Sequence, residues 1–318
     1  MQRLRLVFFG TPEFALPTLE RLLAGPHPVV GVVSQPDRPR GRGRRRAPSP
    51  VSLLAQRAGL PLLRPERVAE AEAELRGLAP DLGVVVAFGQ FLPRRIRELP
   101  RLGYLINGHA SLLPRHRGAA PIAHAILAGD ARTGVCVMRV EREMDAGPVA
   151  LARELTIGSA ESCGELTQRL AALSADAIAE VVEQIAQGRA RFTPQPATGA
   201  TLAPRLTAAD ARLDFGASAA ALVLRVRALA PEPGAATQVE GERLRILAAR
   251  AEPGPVDAAP GTLRRGSDPL LRIATGEGWL VPLVVQRAGG RALPIDAFLR
   301  GRPLRDGTRL DPGLDCAG

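Results

Sequence analysis

The feature that most constrains this chain is an alternation, over its first 150 residues, of short apolar runs with segments of helical pattern. The apolar runs are Leu4 to Phe9, Val29 to Ser34, Leu60 to Leu63, Leu82 to Phe88 and Leu105 to His109. Helical segments are expected from Phe14 to Ala24 and over 50–58, 66–77 and 93–99. Thr11 suits the N-cap of the first, Pro12 its first helical position and Glu13 the positive end of its dipole. Apolar on every side, the strands must be buried on both faces, and helices between them make the crossovers of a mostly parallel sheet. The expected class is therefore α/β, doubly wound and Rossmann-like. Ligands of such sheets bind beyond the carboxyl ends of the strands, which places Gly10 to Phe14, Phe88 to Leu92 and Asn107 to Pro114 along one rim. The Gly-x-Gly-x-x-Gly fingerprint is missing after the first strand, where Gly10 stands alone, so a nicotinamide or flavin cofactor of the usual type is disfavoured.

With 318 residues the chain is long for one core and comfortable for two. Leu166, Leu170, Leu173, Ala177, Ile178, Val181 and Ile185 recur at helical spacing and predict a long amphipathic helix from Glu161 to Gln187, ended by Gly188. Residues 189–204 are polar, carry Pro and Thr, and show no periodicity, which reads as a linker. Beyond them a helix is expected from Leu206 to Ala230, then short β-like runs at Leu244 to Ala248, Leu270 to Thr275 and Leu280 to Gln286, punctuated by Gly and Pro. That pattern predicts a smaller β-rich domain, a barrel being the natural closure. The expected division is 1–188, a linker over 189–204, and 205–318.

Composition enters as exclusion. All 42 basic residues are arginine, so chemistry needing a lysine, such as a Schiff base or a P-loop, is ruled out. Cys136, Cys163 and Cys316 are odd in number and lack C-x-x-C spacing, and no His, Cys and Asp cluster has metal spacing. No metal is expected. No apolar run reaches about 20 residues and no leader is evident, so a cytoplasmic protein without membrane contact is expected.

Six arginines, Arg38, Arg40, Arg42, Arg44, Arg45 and Arg46, stand against one Asp37 between Ser34 and Pro50 and hold half of the chain's net +10. Pro and Gly here predict a flexible loop without regular structure, leaving the sheet at its ligand rim. It reads either as a solvated surface loop or as an arm contacting the phosphates of a nucleic acid, and its position beside the rim favours the arm. Arg287, Arg291, Arg300, Arg302, Arg305 and Arg309 crowd near the other end, where a second phosphate-facing surface and a merely solvated basic face are equally consistent.

Asn107, the only asparagine, shares an 18-residue stretch with His109, His116 and His124. Strand alternation aims Asn107 and His109 the same way. An amide beside an imidazole suits a reaction that develops charge on a carbonyl oxygen. Such a histidine needs a carboxylate to orient it, and Asp145 in Met144-Asp145-Ala146-Gly147 is the candidate. By spacing alone, a strand-end histidine is as well explained by packing. No serine or cysteine elbow is present, so the site reads as acyl transfer between two bound substrates without a covalent intermediate on the enzyme.

The segments FFGTPEFA, SQPDRPRGRG, VVVAFGQFLP, NGHASLLPRHRGAAPIAHAILAGD and MDAG, in this order, resemble the methionyl-tRNA formyltransferase family. TLAPRLTAADARLDF, APGT and LRIATGEGWL resemble its second domain more loosely. The resemblance implies a formyltransferase domain followed by an OB-like barrel that binds tRNA. It also implies transfer of formyl from 10-formyltetrahydrofolate to the α-amino group of methionine on initiator tRNA, as a step in translation initiation. It assigns Asn107, His109 and Asp145 to catalysis, Ser111, Leu112, Leu113 and Pro114 to folate, and Phe88, Gln90 and Leu92 to the pterin, partly through backbone groups. The arginine run falls on the family's tRNA-binding insertion. Gly108 stands where a larger aliphatic residue is usual, Ala110 replaces a common glycine, and His116 replaces an aromatic and is expected at the surface or on tRNA. The expected partner is charged initiator tRNA and not DNA, with a monomer as default. The alternatives are a formyltransferase acting on a small amine, such as a ribotide or an amino sugar, and a binding protein without catalysis.

Overall fold

The computed structural model describes residues 3–40, 45–265 and 271–312. The described residues pack as two units: those within 3–121, 132–156 and 167–203, and those within 122–131, 157–166 and 204–312.

The first unit is built on a seven-stranded sheet. In chain order its elements are β1 (Leu6–Gly10), α1 (Leu16–Leu23), β2 (Val29–Val33), a hairpin of β3 (Arg38–Arg40) and β4 (Arg45–Ala47), α2 (Pro50–Arg57), β5 (Leu62–Leu63), α3 (Glu72–Gly77), β6 (Leu82–Val86), α4 (Arg94–Arg97) and β7 (Leu105–His109). After α5 (Pro121–Leu127), which from Ile122 onward belongs to the second unit, come β8 (Arg132–Arg139), β9 (Val149–Thr156) and α6 (Cys163–Ala186), the last joining this unit from Thr167. The strand order is β5-β2-β1-β6-β7-β8-β9. The first five strands run parallel, whereas β8 and β9 are antiparallel additions at one edge. β1 and β6 are buried at every residue, as continuous apolar runs of a doubly covered sheet should be. One face carries Val7, Phe9, Val33, Val85 and Leu105 against Val68, Leu75 and Ile96.

Two local expectations are corrected. The first helix does not use Thr11 as its cap. It opens as a 3-10 turn over Glu13–Ala15 behind Pro12, and the Thr11 hydroxyl donates instead to the Phe88 carbonyl at 2.9 Å. The arginine run is not free of regular structure either, because β3 and β4 pair antiparallel with Arg38 opposite Ala47, Pro39 opposite Arg46 and Arg40 opposite Arg45. A two-stranded ribbon has only edges, where a proline's missing N–H is tolerated. The strand β9 is an addition that the sequence does not announce, since its VALARELT pattern alternates weakly and its outer half is exposed.

In α6, Leu170, Ala177, Ile178 and Val181 are buried as the stripe predicts. Gly108 is where this helix meets β7: a Cβ there would lie 2.7 Å from both Ile178 Cδ1 and Ser174 Oγ. Side chains from the helix thus fill the space that a larger residue at this position would take.

The second unit holds α7 (Ala219–Leu229), β10 (Ala235–Val239), β11 (Glu242–Glu252), β12 (Leu263–Arg265), β13 (Leu271–Ala274), β14 (Trp279–Arg287), β15 (Ala292–Pro294), α8 (Ile295–Gly301) and β16 (Asp311–Pro312). Its strands form an antiparallel sheet in the order β12-β13-β14-β11-β10-β16, with β15 also on β14. The chain entering β16 closes this sheet, since Leu263 N–H donates to the Thr308 carbonyl and Leu310 N–H to that of Gly261, both at 2.8 Å. Inside lie Leu213, Val226, Ile246, Leu280 and Phe298. The helix expected from Leu206 is interrupted. A single 3-10 turn over Ala209–Ala211 is closed by Asp210 Oδ2 accepting from the Thr207 N–H and hydroxyl, an Asp214 turn accepting from Gly216 N–H redirects the chain, and Ser218 caps α7 afresh. Among the late arginines, Arg287 and Arg302 pair with Glu242, and Arg300 with Asp296, so much of that basic stretch is neutralised within its own unit. Among the described residues, no helix is long and apolar enough to cross a membrane.

Candidate active site

Asn107 and His109 end β7 at the carboxyl rim of the parallel strands, opposite Met138 and Cys136 of β8. Alternation turns Gly108 toward α6, which leaves the two flanking side chains on the other face. His109 is only 6% exposed, and both of its ring nitrogens face acceptors: Nε2 lies 2.9 Å from the His116 carbonyl and Nδ1 3.5 Å from Asp145 Oδ2. Both acceptors are served together only by a ring that carries a hydrogen on each nitrogen, Nε2–H toward the carbonyl and Nδ1–H toward the carboxylate, whereas a neutral tautomer serves one of them. Asp145 Oδ2 also accepts from Gly118 N–H at 2.8 Å, so the carboxylate has a fixed direction. The Asn107 amide is half-buried and makes no hydrogen bond to another described residue. It is a donor left available at a strand end, as an oxyanion partner needs to be.

The loops that bring these groups together are tightly shaped. Asp145 has φ of 53° and His116 of 57°, left-handed conformations that cost a non-glycine residue about 1–2 kcal/mol. At His116 this turn buries the residue, correcting the surface position expected for it. Gly147 lets the Asp145 loop lie on β8, since a Cβ would fall 2.0 Å from the Arg139 carbonyl. His124, third in the histidine cluster, packs in the second unit with Nε2 on the Pro204 carbonyl at 3.0 Å.

The stretch after β7 turns on itself. Ser111 is fully buried and its hydroxyl donates to the Arg115 carbonyl at 2.6 Å, while Leu113 N–H donates to Cys136 Sγ at 3.3 Å. Burial pushes the Cys136 thiol up, opposed by that N–H, so the sulfur serves as a packing atom and weak acceptor. Leu112, Leu113 and Pro114 are half-buried beside it.

Across the rim the expected pterin residues are engaged internally. Phe88 is buried edge-on against Phe9, and its carbonyl accepts from Thr11 and from the Gln35 amide. Leu92 is buried in the core. Gln90 accepts from Val68 N–H at 2.7 Å and donates to the Pro65 carbonyl. Neighbouring Phe91, 71% exposed, is the large side chain this segment offers to solvent.

Of the six arginines, Arg38 and Arg46 are exposed on the hairpin, Arg40 and Arg45 contribute its paired backbone, and Arg42 and Arg44 lie outside the described residues. Arg38 pairs loosely with Glu66 at 3.5 Å.

Residues 189–204, expected as a linker, lie against the site. Thr193 pairs with Val149, Gln195 bonds around Asp145, and Thr201 and Ala203 bond to the chain at 116–120. Sequence reasoning passes over Gln195 and Arg117, because neither sits in a periodic element. The cue is a glutamine and an aromatic, Phe192, held in a Pro-bearing stretch with no helix or strand to serve.

The chain matches the formyl transferase family over residues 4–182 and the formyl transferase C-terminal domain over 205–303. It is 47% identical to the methionyl-tRNA formyltransferase of Methylobacterium sp. (strain 4-46), over 96% of this chain and 99% of that one. This chain belongs to that family. A second member, from Acidiphilium cryptum (strain JF-5), is 46% identical across 96% of the chain and its own full length. Among solved structures, an N-formyltransferase from Helicobacter canadensis, crystallised with folinic acid and dTDP-3-aminofucose, superposes with a TM-score of 0.67 over 90% of this chain and all of that one, at 14% identity. HypX from Aquifex aeolicus, in complex with tetrahydrofolic acid, superposes at 0.63 and 20% identity over 94% of this chain and 47% of that one. At these identities the likeness is one of fold, and it confirms the expected formyltransferase architecture of a mostly parallel sheet followed by a curled antiparallel one.

Proposed function

We propose that this chain transfers a formyl group from 10-formyltetrahydrofolate to the α-amino group of methionine on initiator tRNA, with residues 1–188 as the catalytic domain, 189–204 as the linker and 205–318 as a tRNA-binding domain. The observation that carries the mechanism is the available Asn107 amide at the end of β7, next to a histidine whose carboxylate partner is itself fixed by Gly118 N–H. The folate supplies an activated formyl carbon. The attacking amine must be neutral, which is accessible because α-amino groups titrate near pH 8. Asn107 stands ready to donate to the formyl oxygen as charge develops on it. His109 reaches the same oxygen by exchanging its bond to the His116 carbonyl, and Asp145 holds the imidazole while it does so. Through water, Asp145 passes the proton that the amine loses to the folate nitrogen, whose bond to the formyl carbon breaks as the new amide forms. Positioning of two substrates supplies the rest.

Ser111 to Pro114 is the stretch proposed to hold the folate. Around the pterin, backbone groups of residues 88–92 are the candidates, because the side chains of Phe88, Gln90 and Leu92 are engaged in the protein. Arg38, Arg40, Arg42, Arg44, Arg45 and Arg46 are the proposed tRNA contacts, and a small-amine acceptor gives no use for them. The protein is proposed to act as a cytoplasmic monomer. Labelled 10-formyltetrahydrofolate offered with charged initiator tRNA, charged elongator tRNA or small amines tests the reading. Label is expected on initiator methionyl-tRNA, and transfer to small amines alone would overturn it.

A further inference from the structure

We propose that residues 192–203 are a positioning strap for the catalytic pair, and that Gln195 is its working residue, setting Asp145 against His109. The inference rests on the formyl transfer proposed above. Both polar atoms of the Gln195 side chain are engaged. Its Nε2 donates to the carbonyls of Asp145 at 2.7 Å and Gly147 at 2.8 Å, and its Oε1 accepts from Arg117 Nη2 at 2.7 Å and Nε at 3.2 Å. One amide thus ties the Asp145 loop to the loop after β7 that carries His116 and Gly118. Gly118 N–H is the donor on the Asp145 carboxylate, and the His116 carbonyl is the acceptor on His109.

The strap is fixed at both ends within the same unit. Upstream, the Arg139 guanidinium lies 4.3 Å from the Phe192 ring centroid and 4.2 Å from that of Tyr104, and Thr193 pairs with Val149. Downstream, Thr201 Oγ1 accepts from His116 N–H at 2.9 Å, and Ala203 exchanges backbone bonds with Arg117 and Ala120. Asp145 sits in the left-handed region, a conformation that persists only where the surroundings over-determine it. The two carbonyls held by Gln195 belong to that strained residue itself and to Gly147, two residues on. Releasing them frees Asp145 to swing from His109, and misplacement of a catalytic group by about 1 Å costs on the order of a hundredfold.

The test is a cycle of Gln195→Ala and Asp145→Asn in the full chain, read by single-turnover formylation of methionyl-tRNA and by hydrogen exchange of the Gly118 amide. Gln195→Ala is expected to lower kcat by about tenfold to a hundredfold with KM for both substrates within about twofold. In the Asp145→Asn background the same change is expected to cost less than about threefold, because no carboxylate is left to position. Gly118 exchange is expected to quicken in Gln195→Ala whether or not tRNA is the acceptor. Failure of the functional reading, which shows as an inactive wild type, therefore leaves the strap still tested. Should Gln195→Ala not fold, Gln195→Glu keeps the length and the Arg117 contact but loses the donors, and the same losses are expected of it. Equal losses in both backgrounds, or unchanged Gly118 exchange, would overturn the proposal.

Discussion

The end of β7 and the β3–β4 hairpin leave the same rim and are held in opposite ways. At the first, His109 is buried, its two nitrogens have named partners, and the carboxylate beside it is pinned by a backbone N–H. At the second, Arg38 is 58% exposed and its acid, Glu66, is 67% exposed, an ion pair of the kind worth about 0–1 kcal/mol. A group that must stabilise charge at one atom has to be oriented before the substrate arrives, whereas a cation that meets a polyanion needs only to be near. The difference separates what each region should lose on mutation: rate at the first, salt-dependent affinity at the second.

The largest effect is expected at the site. Asn107→Ala removes the available donor and should lower kcat by about 10²–10³, as loss of an oxyanion donor does. His109→Ala and Asp145→Ala should collapse transfer comparably while the fold survives by circular dichroism. Near wild-type turnover in any one would remove that residue from the mechanism.

A smaller effect is expected behind the site. Gly108→Leu drives a side chain into Ile178 and Ser174, and overpacking of this kind costs about 1–3 kcal/mol. The urea midpoint should fall accordingly, and Ile178→Ala in the same chain should restore part of it. A midpoint that does not move would mean that α6 is not seated on β7 as described.

The hairpin sets the third test. Replacing Arg38, Arg42 and Arg46 by glutamine should weaken tRNA binding and reduce the slope of log K against log salt by about two to three, at roughly 0.7–0.9 for each phosphate that is no longer neutralised. KM for folate should not change. A slope equal to wild type would separate the hairpin from tRNA altogether and make it the solvated surface that composition alone also allows.

The same contrast explains what is legible in the sequence. β7 can be read to its last residue because an apolar strand ending in Asn-Gly-His announces both its burial and its polar end. Asp145 follows from asking what a strand-end histidine requires. Gln195 does not, because its amide donates to backbone carbonyls 48 and 50 residues away, which leave no mark in the sequence, and its side-chain partner Arg117 is 78 residues away. The hairpin reads as irregular because Pro and Gly suppress strand signals even where a two-stranded ribbon tolerates them. Closure of the second sheet depends on pairing between residues 261–263 and 308–310, whose strands are too short to show a period. Local chemistry is therefore readable where it coincides with a periodic element, and hidden where the chain supplies it through loops.

The smallest effect lies at the opposite end of the same parallel strands, and it makes the comparison between function and stability direct. Asp81, just before β6, accepts from Arg5 N–H at 2.8 Å, just before β1, and is bonded by the Arg101 guanidinium. Burial pushes its carboxyl up, but the Arg5 N–H and the Arg101 side chain outweigh it and hold the group below the usual carboxylate range. A depressed value in the folded state means that the carboxylate stabilises the protein above the unfolded value near 4, and that this contribution is lost as pH falls through the lower folded value. Asp81→Asn keeps an acceptor for Arg5 but removes the charge, so it should cost about 1 kcal/mol at pH 7, with the gap to wild type closing in acid. Urea melts at pH 7 and pH 3 check the sign, and a gap that is independent of pH would assign the loss to packing. Formylation by Asp81→Asn should match wild type at neutral pH, because this carboxylate ties the amino ends of the strands while Asp145 acts at their carboxyl ends.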